Sequence, residues 1–409
     1  MIKTAPTPAF CAAVFLTIPV MGCAQTAPSG APVEQGPKNA PQFEPAFENQ
    51  TRAPAIDSEM RLVAEPVVEG LVHPWGIEVL PDGGYLVTER AGQLRIVRDG
   101  EAGGPIANVP DVLSQGQGGL LDVALAEDFS ETRRIYLTYA KPMPGGMSAT
   151  AAATGVLNAE MTELSEVQEI FQQEPPSAPA KHFGSRIVLD GDHAFITTGE
   201  HSSMETRVYA QDLDKTYGKI VRISLDDYTA PDDNPFVGQD GAIDMIWSTG
   251  HRNIQGAAMR PGTGELWGLE HGPAGGDELN LIEPGENYGW PVVSYGEQYS
   301  GGPIGSGEPR AEGFVEPRYY WDPVIAPGGF LFYEGEMFSD WEGDVLASSL
   351  SPGGLVRLTL DGDTVTGEER FLGNEGRIRD VAIDRDGAIL LLTDYDNGAV
   401  LRVTPADPA

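Results

Sequence analysis

Basic side chains are scarce. Among 409 residues, 26 Lys and Arg face 61 Asp and Glu, giving a formal net charge of −35. Such a surface repels a phosphate backbone, so nucleic acid is not expected as a partner. Docking on anionic lipid through a basic patch is excluded on the same ground. A solvated, soluble exterior accounts for most of the carboxylates. Only two cysteines occur, Cys11 and Cys23, and only six histidines, none in an HExxH spacing. Helical 3.6-residue periodicity of useful length is missing. Gly (51) and Pro (33) are plentiful instead. The length is ample for a large buried core, and all-β folds can run this long as one unit.

Residues 1–22 read as an export signal. Lys3 supplies the positive start, and the apolar run from Ala9 through Val20 is too short for a permanent membrane helix. It ends in Val20-Met21-Gly22-Cys23, a pattern that resembles a bacterial lipobox, with Cys23 as the lipidated mature N-terminus. The alternative is an ordinary secretory signal with a spectator Cys23. Both place the protein outside the cytoplasm, periplasmic or anchored to the outer membrane as a lipoprotein. With Cys11 removed, one cysteine is left and no internal disulfide can form. Residues 23–60, rich in Ala, Pro, Gln and Glu and without hydrophobic period, read as a disordered tether.

From residue 61 to 406 short strands alternate with Gly-rich turns. Trp75–Leu80, the turn Pro81-Asp82-Gly83-Gly84, Tyr85–Glu89 and Gln93–Val97 form an antiparallel meander. The pattern recurs with starts at 75, 120, 185, 255, 329 and 378. Six sheets of about four strands predict an all-β, six-bladed propeller of four-stranded antiparallel blades. Loops from separate blades then share one pocket at the propeller mouth.

Three features carry chemistry. His182, in Lys181-His182-Phe183-Gly184, is a loop residue at a blade entrance. Taken alone, such a histidine is more often solvated or structural. Arg252 follows Gly250-His251, and Arg377 and Arg379 flank Ile378, where strand alternation puts both on one face. Arginines gathered in so acidic a chain fit a small polyanion, although surface ion pairs explain them equally well. The segment from Glu270 to Asn280 combines tight turns, carbonyls and carboxylates. It is compatible with calcium, but an acidic turn is the simpler reading.

Taken in order, these segments resemble one family. They are Pro74-Trp75-Gly76-Ile77 with Thr88-Glu89-Arg90-Ala91-Gly92, His182 with Gly184, Gly250-His251-Arg252-Asn253, Glu270-His271-Gly272-Pro273 with Asp277-Glu278, Glu286-Asn287-Tyr288-Gly289-Trp290-Pro291, and Arg377-Ile378-Arg379. The resemblance, over roughly residues 65–405, is to the soluble PQQ-dependent glucose/sorbosone dehydrogenases, and within them to the aldose sugar dehydrogenase branch. It implies oxidation of an aldose at C1 to a lactone, with PQQ and Ca²⁺ as cofactors. His182 would be the general base, and a hydride would pass from C1 to C5 of PQQ. It implies Gln117, Arg252, Asn253, Tyr299, Arg377 and Arg379 as PQQ contacts. Gly272 and Pro273 would offer carbonyls to the calcium beneath PQQ, and Glu278 and Tyr288 would hold a second, structural calcium. Glu200 stands where an acid orients the histidine. The implied partners are an aldose substrate and an external electron acceptor, for a monomer or homodimer.

One departure concerns Ser349-Leu350-Ser351-Pro352-Gly353-Gly354, where relatives often carry a Lys or another polar cofactor contact. Two other readings stay open. One is a calcium-dependent hydrolase of the gluconolactonase kind, which needs side-chain ligands converging on one metal and has no use for the arginines. The other is a non-catalytic, sugar-binding or scaffold propeller.

Overall fold

The computed structural model describes residue 1, residues 30–178 and residues 180–406. Its strands form six sheets of four antiparallel strands each. The innermost strands are Pro74–Val79, Leu120–Leu125, Gly184–Asp190, Ile254–Arg260, Pro327–Phe332 and Ile378–Ile383. Each packs beside the next, and the last packs beside the first. The expected six-bladed propeller is therefore present, with innermost strands beginning within two residues of the recurring sequence starts. Helix is confined to Phe129–Thr132 and a few 3₁₀ turns among the described residues. The ring is closed by the N-terminal strand Leu62–Leu71, which pairs with Gly398–Pro405 and completes the sixth blade.

All six innermost strands shift register against their neighbours near their first residues. A bulge bends a strand and releases a backbone group from the ladder. Hydroxyls use this release. Thr88 accepts the Gly76 N–H at 2.8 Å and donates to the Leu121 carbonyl of the next blade at 2.5 Å. Thr138 does the same between Asp122 N–H (3.0 Å) and Ser185 C=O (2.6 Å), and Thr197 between Arg186 N–H (2.8 Å) and Ile254 C=O (2.9 Å). Neighbouring blades are thus joined by repeated hydrogen bonds as well as by apolar clusters.

The axis itself is polar. Arg186 pairs with Asp122 at 2.7 Å and with Asp380 at 3.1 Å, donates to the Gln255 carbonyl, and lies over the Trp75 ring. Below this cross-brace a channel of about 370 Å³, lined by Glu78, Asp122, Arg186 and Asp380, opens away from the site described next.

Residues 30–60, expected as part of a disordered tether, are instead laid against blades 4 and 5. Ala40 and Phe43 pack on Tyr295 and Tyr320, and Ala53 is fully buried. Ile56 N–H bonds to Glu368 C=O, and Glu368 N–H bonds to Pro54 C=O. A strap that spends its amides on another element needs no hydrophobic period of its own. The signal segment 1–22, with Cys11, and Cys23 lie outside the described residues, apart from Met1.

Candidate active site

In blades 1, 3, 4 and 6 the second strand ends in an acid or reaches one within two residues: Glu89, Glu200, Glu270 and Asp394. The hairpin is antiparallel, so this acid sits beside the residues leading into the innermost strand. Each acid therefore anchors what lies at that entrance.

In blade 3 the residue anchored is His182. Its Nδ1 lies 2.8 Å from Glu200 Oε1, and both side chains are nearly inaccessible. The Gln117 Oε1 accepts the His182 N–H at 2.8 Å. The approach is close. A Cβ on Gly199 would strike the His182 carbonyl, so only glycine fits there. Burial, then Arg252 and Lys181, hold the His182 imidazole well below its usual pKa. Burial pushes the Glu200 carboxyl up to about 7, although Arg252 and the Ser202 amide oppose this. With Glu200 ionised, Nδ1 carries the proton and Nε2 keeps a free lone pair, the form a general base needs.

In blade 4, Glu270 accepts the Arg252 N–H at 2.7 Å and meets His251 Nδ1 at 3.0 Å. The Arg252 guanidinium donates to His271 C=O at 2.9 Å, reaches the Tyr299 hydroxyl at 3.4 Å, and lies over the Trp290 ring. Asn253 accepts the Gly184 N–H through Oδ1, which leaves its NH₂ as the group it can offer a ligand. Tyr299 is 77% exposed, a ring on the rim with only its hydroxyl engaged.

In blade 6, Asp394 Oδ2 takes both Arg377 and Arg379 at 2.8 Å each, as expected of two residues on one face. The two guanidinium cations and His73 keep the Asp394 carboxylate ionised far below its usual range despite burial. The other arm of Arg379 reaches Gln255 Oε1 at 2.7 Å, which also meets His271 Nε2 at 3.1 Å. Arg379, Gln255, His271 and Arg252 thus form one chain across blades 6 and 4. Arg377 reaches Leu350 C=O, in the loop that carries Ser351 where relatives often have Lys.

Of these residues Glu200, Arg252 and Tyr299 line a cleft of about 280 Å³ together with Pro273 and Trp290. His182 is tied to it through Glu200, and Arg379 through Gln255, His271 and Arg252, while Gln117, Asn253 and Arg377 do not line it. Two observations bear on what it can hold. The Nε atoms of Arg252 and Arg379 are buried without a hydrogen-bond partner among the described residues. Arg379 is further pushed toward deprotonation by burial and by Arg377 and Arg90. An anionic, flat ligand would relieve this excess of positive charge. The carbonyls of Gly272 and Pro273 accept no hydrogen bond among the described residues, which leaves them free for a hard cation. A Cβ on Gly272 would collide with Gly275 and Gly276 carbonyls, so this tight loop requires glycine. The residues present fit PQQ and calcium.

Glu278 and Tyr288 line a second, small cavity of about 20 Å³ with Glu270, Gly272 and Pro273. Burial and the Glu270 carboxylate push the Glu278 carboxyl well up, and nearby Asn280 Oδ1 has no partner among the described residues. A cation would satisfy both. Tyr288 spends its hydroxyl on Leu281 C=O and Glu283 N–H, so only its backbone carbonyl is on offer there.

Sequence reasoning missed Gln255 and Asp394, and gave no role to His271 and Asp277, which stand in segments it singled out. Asp277 is buried and binds the amides of Gly272, Ile325 and Ala326, and burial pushes its carboxyl up to about 7. The acid that recurs at the end of the second strand or just after it in four of the six blades was the available signal for Asp394.

Comparison with known proteins shows the family. A family model described as Glucose / Sorbosone dehydrogenase matches residues 71–402. The chain is 41% identical to the aldose sugar dehydrogenase YliI of Escherichia coli, over 83% of this chain and 92% of that one. The crystal structure of the soluble aldose sugar dehydrogenase of Escherichia coli in its apo form superposes with a TM-score of 0.81 at 40% identity, covering 85% of this chain and 100% of that one. The PQQ-bound aldose sugar dehydrogenase of Streptomyces coelicolor superposes with a TM-score of 0.68 at 26% identity, covering 87% and 100%. The chain belongs to the glucose/sorbosone dehydrogenase family and is an oxidoreductase.

Proposed function

We propose that the protein oxidises aldose sugars at C1 to lactones with PQQ and calcium, outside the cytoplasm, and passes the electrons to an external acceptor. The observation that carries this reading is the buried His182–Glu200 pair beside Arg252, Arg379 and two free carbonyls. When bound, PQQ supplies a hydride acceptor and calcium a Lewis acid. The chain's own residues do the rest. His182 Nε2 takes the proton of the C1 hydroxyl, and Glu200 fixes the imidazole's tautomer and direction. Arg252, Arg377 and Arg379 would hold the cofactor's carboxylate and carbonyl oxygens and stabilise negative charge there. Gly272 and Pro273 offer the cation two carbonyls, and Trp290 and Tyr299 wall the cleft. The second cavity would take a structural calcium through Glu278 and the Tyr288 carbonyl.

Export with a lipid on Cys23 is part of this reading; among the described residues no helix is long and apolar enough to cross a membrane. Mass spectrometry of the mature N-terminus tests the lipid. The hydrolase reading has less support: among the described residues no cluster of three His, Cys, Asp or Glu side chains is set to hold a metal. The deciding experiment is reconstitution with PQQ and Ca²⁺, followed by an aldose panel with a dye acceptor. Dye reduction by at least one aldose is expected. None with any aldose ends the dehydrogenase reading, and failure to bind PQQ favours a scaffold.

A further inference from the structure

The loop Gly272–Gly276 carries the two carbonyls assigned above to a cation, yet little of its own chain holds it. Ala274 and Glu297 exchange both backbone hydrogen bonds, at 2.9 and 3.0 Å. Gly276 N–H donates to Trp321 C=O at 2.9 Å. Gly275, at φ +88°, presses against the Asp322 carboxylate, where a Cβ would stand only 2.8 Å from Oδ1. Besides Asp277, which accepts the Gly272 N–H, the loop rests on two outside supports, residue 297 on one side and residues 321–322 on the other.

Both supports are gripped by the N-terminal strap. Asn39 N–H and Ala40 N–H donate to the two oxygens of Asp322, at 2.7 and 2.9 Å. Asp322 is 1% exposed, and the two amides are the only hydrogen-bond donors to its carboxylate among the described residues. Gln42 Nε2 donates to Glu297 Oε1 at 2.6 Å. Arg52 closes the strap on itself by donating to Gly36 C=O and to Asp322 C=O. The strap precedes residues 71–402, the segment that matches the family model.

We propose that Asn39, Ala40 and Gln42 are positioning residues. Through Asp322 and Glu297 they hold the Gly272–Gly276 loop in the shape that aims the Gly272 and Pro273 carbonyls at a divalent cation. This rests on the reading of those carbonyls as cation ligands. Groups that orient metal ligands without touching the metal commonly set its affinity. The buried carboxylate matters because a pair of charge-assisted amide bonds fixes its direction, and Gly275 can follow only that direction.

The test is made on the full chain, with Ca²⁺ titrated by calorimetry and Tb³⁺ by sensitised luminescence, each with and without PQQ. The variants are Asp322→Ala, Asp322→Asn, Gln42→Ala and Ser58→Ala. Ser58 ties the strap to Glu369, away from the loop. Loss of about tenfold in Ca²⁺ affinity is expected for Asp322→Ala. Gln42→Ala should lose less, Asp322→Asn should recover part of the loss, and Ser58→Ala should bind as the parent does. Thermal melts of Gln42→Ala and Ser58→Ala should match each other. If Asp322→Ala does not fold, the contrast between Gln42→Ala and Ser58→Ala decides. Parental affinity in the Asp322 and Gln42 variants overturns the proposal, as does an equal loss in Ser58→Ala. A parent that takes up neither ion overturns the cation reading beneath it, a distinguishable result.

Discussion

His182 illustrates how a single side chain becomes reactive through its surroundings. Glu200 gives its ring direction, and burial, aided by Arg252 and Lys181, keeps it uncharged. His182→Ala should retain PQQ binding, followed by absorbance, and lose about 10²-fold or more in turnover, the usual scale for a general base. The pH profile tests the pair. Below about pH 7 Glu200 takes up a proton and can donate to Nδ1, which leaves the ring's proton on Nε2. The rate should therefore fall as pH drops, with an apparent pKa that belongs to both groups. Glu200→Gln still accepts from Nδ1 but cannot take a proton, so its acid limb should move to lower pH. An unmoved limb removes Glu200 from this role. Arg377→Ala, at a half-exposed position, should weaken PQQ binding while the fold survives, since Arg379 still holds Asp394. The arginines were legible because basic residues are few. Asp394 was not, because one carboxylate among 61 acids looks like any turn residue until its hairpin partner is known.

At the level of strands and hairpins, the recurring starts were readable because each blade repeats a pair of strands and a Gly-rich turn. The bulges were invisible, since they depend on which hydroxyl meets which amide across a blade boundary. Thr138→Val tests this device. It keeps the shape but leaves the Asp122 N–H and the Ser185 carbonyl short of a partner inside the core. The cost should be about 1–3 kcal/mol, read from urea midpoints at unchanged slope. A neutral result would mean that the blades hold together by apolar packing alone. The strap was misread for a related reason: its amides are satisfied by Asp322 and Glu368, residues hundreds of positions away.

Across the entire molecule, charge is distributed unevenly. The site gathers Arg252, Arg377 and Arg379 in a chain of net charge −35. The opposite channel gathers Glu78, Asp122 and Asp380 around one arginine. Burial, then Asp122 and Asp380, push the Glu78 carboxyl from 4.5 to about 8. The folded protein thus keeps a proton that the unfolded chain releases above pH 4.5, so stability drains away as pH rises toward 8. Glu78→Gln cannot lose a proton. Its melting temperature should equal the parent's near pH 4.5 and exceed it at pH 8. The gain should be about 1–2 kcal/mol, discounted because water reaches the channel. Equal melting at both pH values would refute the assignment. The ring closure carries one more consequence. The strand that seals the last blade is made before any of the strands it joins, because Leu62–Leu71 must wait for Gly398–Pro405. A growing polypeptide cannot close its ring of blades until Gly398–Pro405 have left the ribosome, so a product stopped before them leaves Leu62–Leu71 without its partner strand.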